Sequence, residues 1–375
     1  MNFGFTEEQE LLRAEVRKYL DQNAPLEEVR KQVETAEGFS RDLWSQMGEL
    51  GWLGLASPEA YGGAGMDLVT LVVLLEETGR SLFPSPLVSS LLAAKAIERS
   101  GPSEQQSEVL AAIAAGSCVA TFALLEESDR LDPEGIALRG KRDGDVTLLS
   151  GTKTFVPDAG QADVFVVAFR TGSAPDDVAL ALIRPGDEGV TVGEYPGMDL
   201  TKRTGRLVLD DVRVPKEQLL GQPGSAAAVI RWLVDAGALL VTAEMCGAAE
   251  QAVALTSEFA KERIQFDHPI GRYQGVKHPL AEMYVDVESF KSLLYYAAWA
   301  LDRDAADASL AVSRAKAYAS DAFARIGIDG VQLHGGVGYT WEYDIQLYLK
   351  RSKWARSAFG DADYHYDRIA SLGGL

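Results

Sequence analysis

The sequence predicts an α+β protein in which helices come first, a small antiparallel β-domain second and a bundle of long helices last. Three observations carry this. Apolar residues recur at three-to-four spacing from Thr6 to about Ser117. From about Cys118 to Gly221 the apolar runs are short and bounded by Gly, Pro or Asp, as strands are. From Ser225 the helical spacing returns, and no proline interrupts the chain until Pro269. Elements segregated in this way exclude the alternating pattern of a doubly wound parallel sheet. The expected domains are residues 1–117, 118–222 and 223–375.

In the first segment, Glu7–Tyr19 and Asp67–Thr78 show the helical period. Loops interrupt it at 56–65 and at Phe83-Pro84-Ser85-Pro86. In the second, strands are expected at Val146–Ser150, Val164–Phe169, Val178–Ile183 and Arg206–Pro215, the last ending at its proline. In the third, a helix is expected over Ala226–Glu262, roughly 55 Å long at about 1.5 Å per residue. Two more are expected over Pro279–Arg303 and Ala306–Ile328. The glycine cluster Gly335-Gly336-Val337-Gly338 follows a helix rather than a strand, so it is not read as a dinucleotide fingerprint.

The 375 residues suit two or three domains. The formal net charge of −19 argues against nonspecific nucleic-acid binding and against an anionic membrane surface. No uninterrupted apolar run reaches the roughly 18 residues of a membrane span. Met1–Glu8 has no basic region followed by an apolar core, so no secretory signal is expected. Cys118 and Cys246 stand alone, which points to neither a disulfide framework nor a metal cluster and fits a reducing cytoplasm.

Four segments together carry a family resemblance. The first is Glu49-Leu50-Gly51-Trp52-Leu53-Gly54-Leu55, with Pro58-Glu59-Ala60-Tyr61-Gly62-Gly63 and Glu76-Glu77-Thr78-Gly79-Arg80 after it. The second is Ser150-Gly151-Thr152-Lys153-Thr154-Phe155-Val156-Pro157. The third is Arg263-Ile264-Gln265-Phe266-Asp267-His268-Pro269-Ile270-Gly271, followed by Tyr273-Gln274. The fourth is Gln332-Leu333-His334-Gly335-Gly336-Val337-Gly338-Tyr339. In this order they resemble the acyl-CoA dehydrogenases over nearly the whole chain.

The resemblance implies FAD bound between domains and across a subunit interface, in a dimer of dimers. It implies removal of the proton α to a CoA thioester by a desolvated carboxylate, with hydride passing from the β carbon to the flavin. It implies an electron-transferring flavoprotein as acceptor. CoA is anionic, but a local basic patch overrides a global negative sign. By the same resemblance Arg263 meets the FAD diphosphate of the neighbouring subunit, as a guanidinium forks onto phosphate oxygens. Phe266 and Gln274 lie beside it in the same segment. Gln332, Gly335 and Gly336 approach the diphosphate from the other side, with a helix C-cap as the alternative reading of the glycines. Phe155 falls where the family has a tryptophan near the flavin.

Several positions depart from the family pattern. Leu125 stands where a threonine bonds the flavin pyrimidine edge, and Pro157 where a threonine hydroxyl bonds N5. Phe359 stands where most members carry the catalytic glutamate. At a second family position for the base, early on the long helix, stands Gly237, and Ala238 replaces the usual CoA-side arginine. Substitute bases are Glu244, whose helical neighbours Leu240, Val241, Gly247 and Ala248 would desolvate it, and Asp361, with Asp235 a further acid on the same helix. Two main readings remain, a self-sufficient homotetramer with an atypical base and a subunit of a heteromeric, steroid-type enzyme that keeps only the half-site for its partner's FAD; a non-catalytic member, or oxidase or monooxygenase chemistry on the same fold, stands behind them.

Overall fold

The computed structural model describes residues 5–222 and 224–374. Met1–Gly4, on which the expectation of no secretory signal partly falls, lie outside the described residues. The helices that open the chain are α1 (Glu7–Asn23), α2 (Leu26–Val33), α3 (Arg41–Glu49), α4 (Leu68–Arg80), α5 (Leu87–Arg99) and α6 (Glu104–Ala114). The strands are β1 (Ala120–Ala123), β2 (Arg139–Asp143), β3 (Val146–Pro157), β4 (Val164–Arg170), β5 (Val178–Ile183), β6 (Val190–Tyr195), β7 (Thr204–Pro215) and β8 (Leu219–Leu220). Then come α7 (Ala226–Glu262), a small hairpin of β9 (Ile264–Gln265) and β10 (His268–Pro269), α8 (Gln274–Asp302), α9 (Ala308–His334), α10 (Ile345–Ser357) and α11 (Ala362–Gly373).

Local chemistry sets the boundaries. Thr6 and Ser103 open α1 and α6 with reciprocal capping boxes to Gln9 and Gln106. Asp67 caps α4 by accepting from the Thr70 N–H at 2.8 Å. The helix α8 starts five residues before the expected Pro279, which lies inside it as the sixth residue and withholds one N–H from the Gly275 carbonyl without ending the helix. The helix α9 runs six residues past the expected Ile328. Its Gly327 and Gly330 do not break it but let Leu349 and Ile345 approach closely.

Contacts divide the chain into two compact units. One comprises 1–31, 67–83 and 238–375; the other comprises 32–66 and 84–237. The second unit holds the sheet, in the order β6-β7-β3-β2-β4-β5-β8 with β1 also on β4. The expected antiparallel β-domain is corrected here: the sheet is mixed. Strand β4 pairs antiparallel with β5 but parallel with β1 along Val164–Val167, and parallel with β2 at Arg170. The charged run of β2 and the four residues of β1 carry too little alternation to be read as strands. Phe165, Val167, Phe169, Ile183, Leu207 and Leu209 fill the core of the sheet.

In the first unit α4 and α7 cross at interlocking glycines. A Cβ on Gly247 would stand 1.7 Å from the Glu76 carbonyl oxygen, and one on Gly79 would stand 2.1 Å from that of Glu244. Small residues here serve close helix packing rather than open space. Two acids of α4, Glu76 and Glu77, are buried and paired. Glu76 meets Arg13 at 2.9 Å and accepts from the Tyr295 hydroxyl at 2.7 Å. Glu77 takes a two-pronged contact from Arg17, at 2.9 and 2.7 Å, and another from Arg80 at 2.9 Å. Burial pushes the Glu76 carboxyl up, against the pull of the Arg13 charge. By length and composition α7 is apolar enough to cross a membrane, but 83% of its most apolar window is buried inside the fold.

Candidate functional site

The residues matched to the diphosphate all lie in the first unit, at the ends of two helices. Arg263 follows the last turn of α7, its N–H bonding the Phe259 carbonyl at 2.9 Å, and its side chain is exposed. Phe266 stands in the tip of the β9–β10 hairpin with φ +52° and is 85% exposed, edge-on to Tyr273. Gln274, also exposed, begins α8. At the end of α9, Gln332 is exposed, and Gly335 with φ +66° is the C-cap, its N–H returning to the Gln332 carbonyl. The C-cap reading is therefore realised. It leaves the backbone accessible, since a Cβ on Gly335 or Gly336 would meet nothing within 4 Å. Phe259 and His334 stack at 4.3 Å, joining the end of α7 to the end of α9. The fold thus brings the Arg263 segment and the Gln332–Gly336 segment to one exposed corner.

The residues matched to the flavin ring lie in the second unit. The side chain of Leu125 offers no hydrogen bond, and its carbonyl already accepts from the Thr154 N–H at 2.8 Å. Pro157 has no N–H, and its carbonyl accepts from the Thr121 hydroxyl at 2.6 Å. Between them a bulge separates Lys153 from Val156 in the β3–β7 ladder. It puts Phe155 at φ +48°, 58% exposed, with its ring 5.3 Å from Tyr195. Behind this strand the fully buried Lys153 donates to Glu126 at 2.6 Å and to the Leu124 carbonyl at 3.1 Å. Burial lowers this lysine to about 8 against the attraction of Glu126. The side-chain donors for a flavin pyrimidine edge and for N5 are missing at both matched positions, and Pro157 lacks an N–H as well, so these side chains do not fit the ring. The exposed guanidinium and open glycines of the first unit do fit a diphosphate.

The candidate bases occupy different settings. Asp361 is exposed and caps α11, accepting from the Tyr364 N–H at 2.9 Å. Glu244 is 2% exposed, and its backbone forms the floor against Gly79. Asp235, the further acid on α7, is buried. Phe359 is half-buried in the turn between α10 and α11, at φ +54°.

Sequence reasoning missed what lies behind that turn. Lys316 of α9 is fully buried and donates to the Gly360 carbonyl at 2.8 Å, the Arg356 carbonyl at 3.1 Å and the Ser320 hydroxyl at 2.9 Å. His365, also fully buried, bonds the Phe359 carbonyl through Nε2 at 3.0 Å. The signal was present: Lys316 lies on the apolar stripe of Val312, Ser320 and Phe323, where a lysine needs buried acceptors.

Comparisons with known proteins agree across the chain. The acyl-CoA dehydrogenase N-terminal domain matches residues 6–117, the middle domain 121–212 and the C-terminal domain 227–372. The probable acyl-CoA dehydrogenase YngJ of Bacillus subtilis is 31% identical over 362 residues, covering 94% of each chain. A chain of the ChsE4-ChsE5 complex from Mycobacterium tuberculosis superposes with a TM-score of 0.91 at 31% identity, covering 100% of this chain and 99% of that one. A chain of the Tcur3481-Tcur3483 steroid ACAD superposes with a TM-score of 0.88 at 31% identity, covering 98% of each. Matches of this extent establish that the chain belongs to the acyl-CoA dehydrogenase family.

Proposed function

We propose that this chain is a subunit of an FAD-dependent enzyme that forms the α,β double bond of an acyl-CoA thioester, and that it supplies the diphosphate half of a partner's FAD site in an α2β2 assembly. The observation that carries this is the contrast between the two sets of matched residues. Arg263, Gln332, Gly335 and Gly336 converge on an exposed corner suited to a diphosphate. The side chains of Leu125 and Pro157 offer no hydrogen bond to a flavin ring, and Phe359 brings no carboxylate. The likeness to a chain of the two-component ChsE4-ChsE5 complex supports the same reading.

In this reading FAD supplies the hydride acceptor when bound. This chain's residues hold its diphosphate through Arg263 and the open backbone at Gly335 and Gly336, with Phe266 and Gln274 in the same segment as Arg263, while Phe155 is the match to the family tryptophan near the flavin ring. The three domains are taken as 1–117, 118–222 and 223–375. The partner is a second acyl-CoA dehydrogenase subunit, the acceptor an electron-transferring flavoprotein, and the setting the cytoplasm. The Tcur3481-Tcur3483 likeness favours a steroid-type or other bulky acyl chain.

A second reading, a homotetramer with an atypical base, is favoured by the buried carboxylate of Glu244 and leaves Asp361 as its alternative. Visible absorbance of the purified chain decides. Near zero FAD per chain, recovered on co-expression with an acyl-CoA dehydrogenase subunit that brings a flavin site, supports the half-site. Near one FAD per isolated chain overturns it.

A further inference from the structure

The turn Ser357–Asp361 is held in a way that its own sequence does not explain. Phe359 and Gly360 both lie at positive φ, +54° and +94°. A phenylalanine there is strained, and such a backbone persists only where the surroundings over-determine it. The surroundings here are two buried donors. Lys316 reaches the Gly360 carbonyl, and His365 reaches the Phe359 carbonyl, so consecutive carbonyls of the turn are both fixed from inside. Lys316 also takes the Arg356 carbonyl, in the last turn of α10, where carbonyls lack helical partners and the helix dipole favours a cation. The third acceptor, Ser320, completes the three bonds an ammonium can donate. On the far side Asp361 closes the turn by capping α11.

We propose that Lys316 and His365 are positioning residues that fix the direction in which side chain 359 leaves the backbone, so that the chain retains the seat of a base although Phe359 occupies it. The seat's meaning rests on the reading that position 359 borders the reaction site. The clamp itself does not depend on that reading.

The experiment is amide exchange, by mass spectrometry, on the holoenzyme as isolated, with FAD per chain measured on the same samples. The variants are Lys316→Met, His365→Leu and His365→Gln, the last keeping an N–H donor. Lys316→Gln replaces Lys316→Met if the latter does not fold. Loss of one buried donor is expected to speed exchange in the peptide spanning 353–365 roughly tenfold, with α8 and the sheet unchanged. His365→Gln is expected to restore most of the protection. The proposal is overturned if exchange in 353–365 is unchanged in the Lys316 and His365→Leu variants. It is equally overturned if His365→Gln loosens the turn as much as His365→Leu, which would make His365 packing and nothing more. FAD content reports the half-site reading separately, so either idea can fail while the other stands.

Discussion

A Cβ on Gly247 would stand 1.7 Å from the carbonyl oxygen of Glu76, and one on Gly79 would meet the Glu244 backbone at 2.1 Å. No rotamer relieves such contacts, because the obstacle in each case is backbone. Gly247→Ala must therefore push α4 and α7 apart. The expected destabilisation is about 3 kcal/mol or more, at or beyond the upper end for overpacking. Urea unfolding followed by circular dichroism checks this, and a loss under about 1 kcal/mol would show that the crossing is looser than described. Ala248→Gly on the same helix turn serves as a control for helix propensity.

The buried ionisable groups behind the Phe359 turn act in two separate pH windows, and in both stability rises with pH. Burial, with the Lys316 charge second, lowers His365 from 6.5 to about 3. The unfolded chain therefore takes up a proton below 6.5 that the folded chain refuses until about 3, and stability falls as pH falls through that window, by about 1.4 kcal/mol per pH unit. Comparing urea midpoints at pH 7 and pH 5, the wild type is expected to lose about 2 kcal/mol more than His365→Gln. Burial likewise lowers Lys316 from 10.5 to about 7. There the unfolded chain holds a proton the folded chain has released, so this group adds stability as pH rises from about 7 towards 10.5. Equal pH dependence in wild type and His365→Gln would mean that His365 titrates in the fold as it does in the unfolded chain.

What the sequence could and could not disclose follows from the range of each signal. Periodicity is local, so it located α7 at Ala226–Glu262 and β5 at Val178–Ile183 to the residue. It misplaced the start of α8, which takes Pro279 inside it, and the end of α9, which runs on through Gly330 to His334. Strand direction depends on partners distant in sequence, so the parallel pairing of β4 with β1 was invisible. Among the candidate residues, Arg263, Gln332 and Gly335 each sit in a recognisable run of the sequence, and the structure places all three at exposed helix ends. The clamp of Lys316 and His365 was not, since it joins α9 to a turn about forty residues on. The burial of Glu244 follows from its helix face, whereas the role of Asp361 as a cap shows only in its bond to Tyr364.

The exposed position of Arg263 separates its effect on cofactor from any effect on folding. In the assembled enzyme Arg263→Ala is expected to weaken FAD binding roughly tenfold to a hundredfold, the range for losing a charge-assisted contact. Thermal stability of the isolated chain should shift within about 0.5 kcal/mol, as for other surface changes. Arg263→Lys should recover only part of the affinity, because an ammonium cannot fork onto two phosphate oxygens. FAD retention after gel filtration, measured by absorbance, reads both variants. Full retention in Arg263→Ala would remove the diphosphate assignment.

Glu244→Gln and Asp361→Asn bear on who supplies the base. If the partner subunit supplies it, neither substitution touches the proton transfer, and kcat of the assembled enzyme stays within about twofold of wild type. If this chain supplies it, the substitution at the true base should cut kcat by a factor of 100 or more, as roughly 10²–10⁴ is what a positioned base contributes. The two acids differ in their structural side effects, which keeps the test clean. Asp361→Asn preserves an acceptor for the Tyr364 N–H, so α11 keeps its cap. Glu244→Gln keeps the volume that the crossing with α4 requires. A large loss confined to Glu244→Gln, with unfolding unchanged, would overturn the half-site reading and establish a self-sufficient chain with its base on α7.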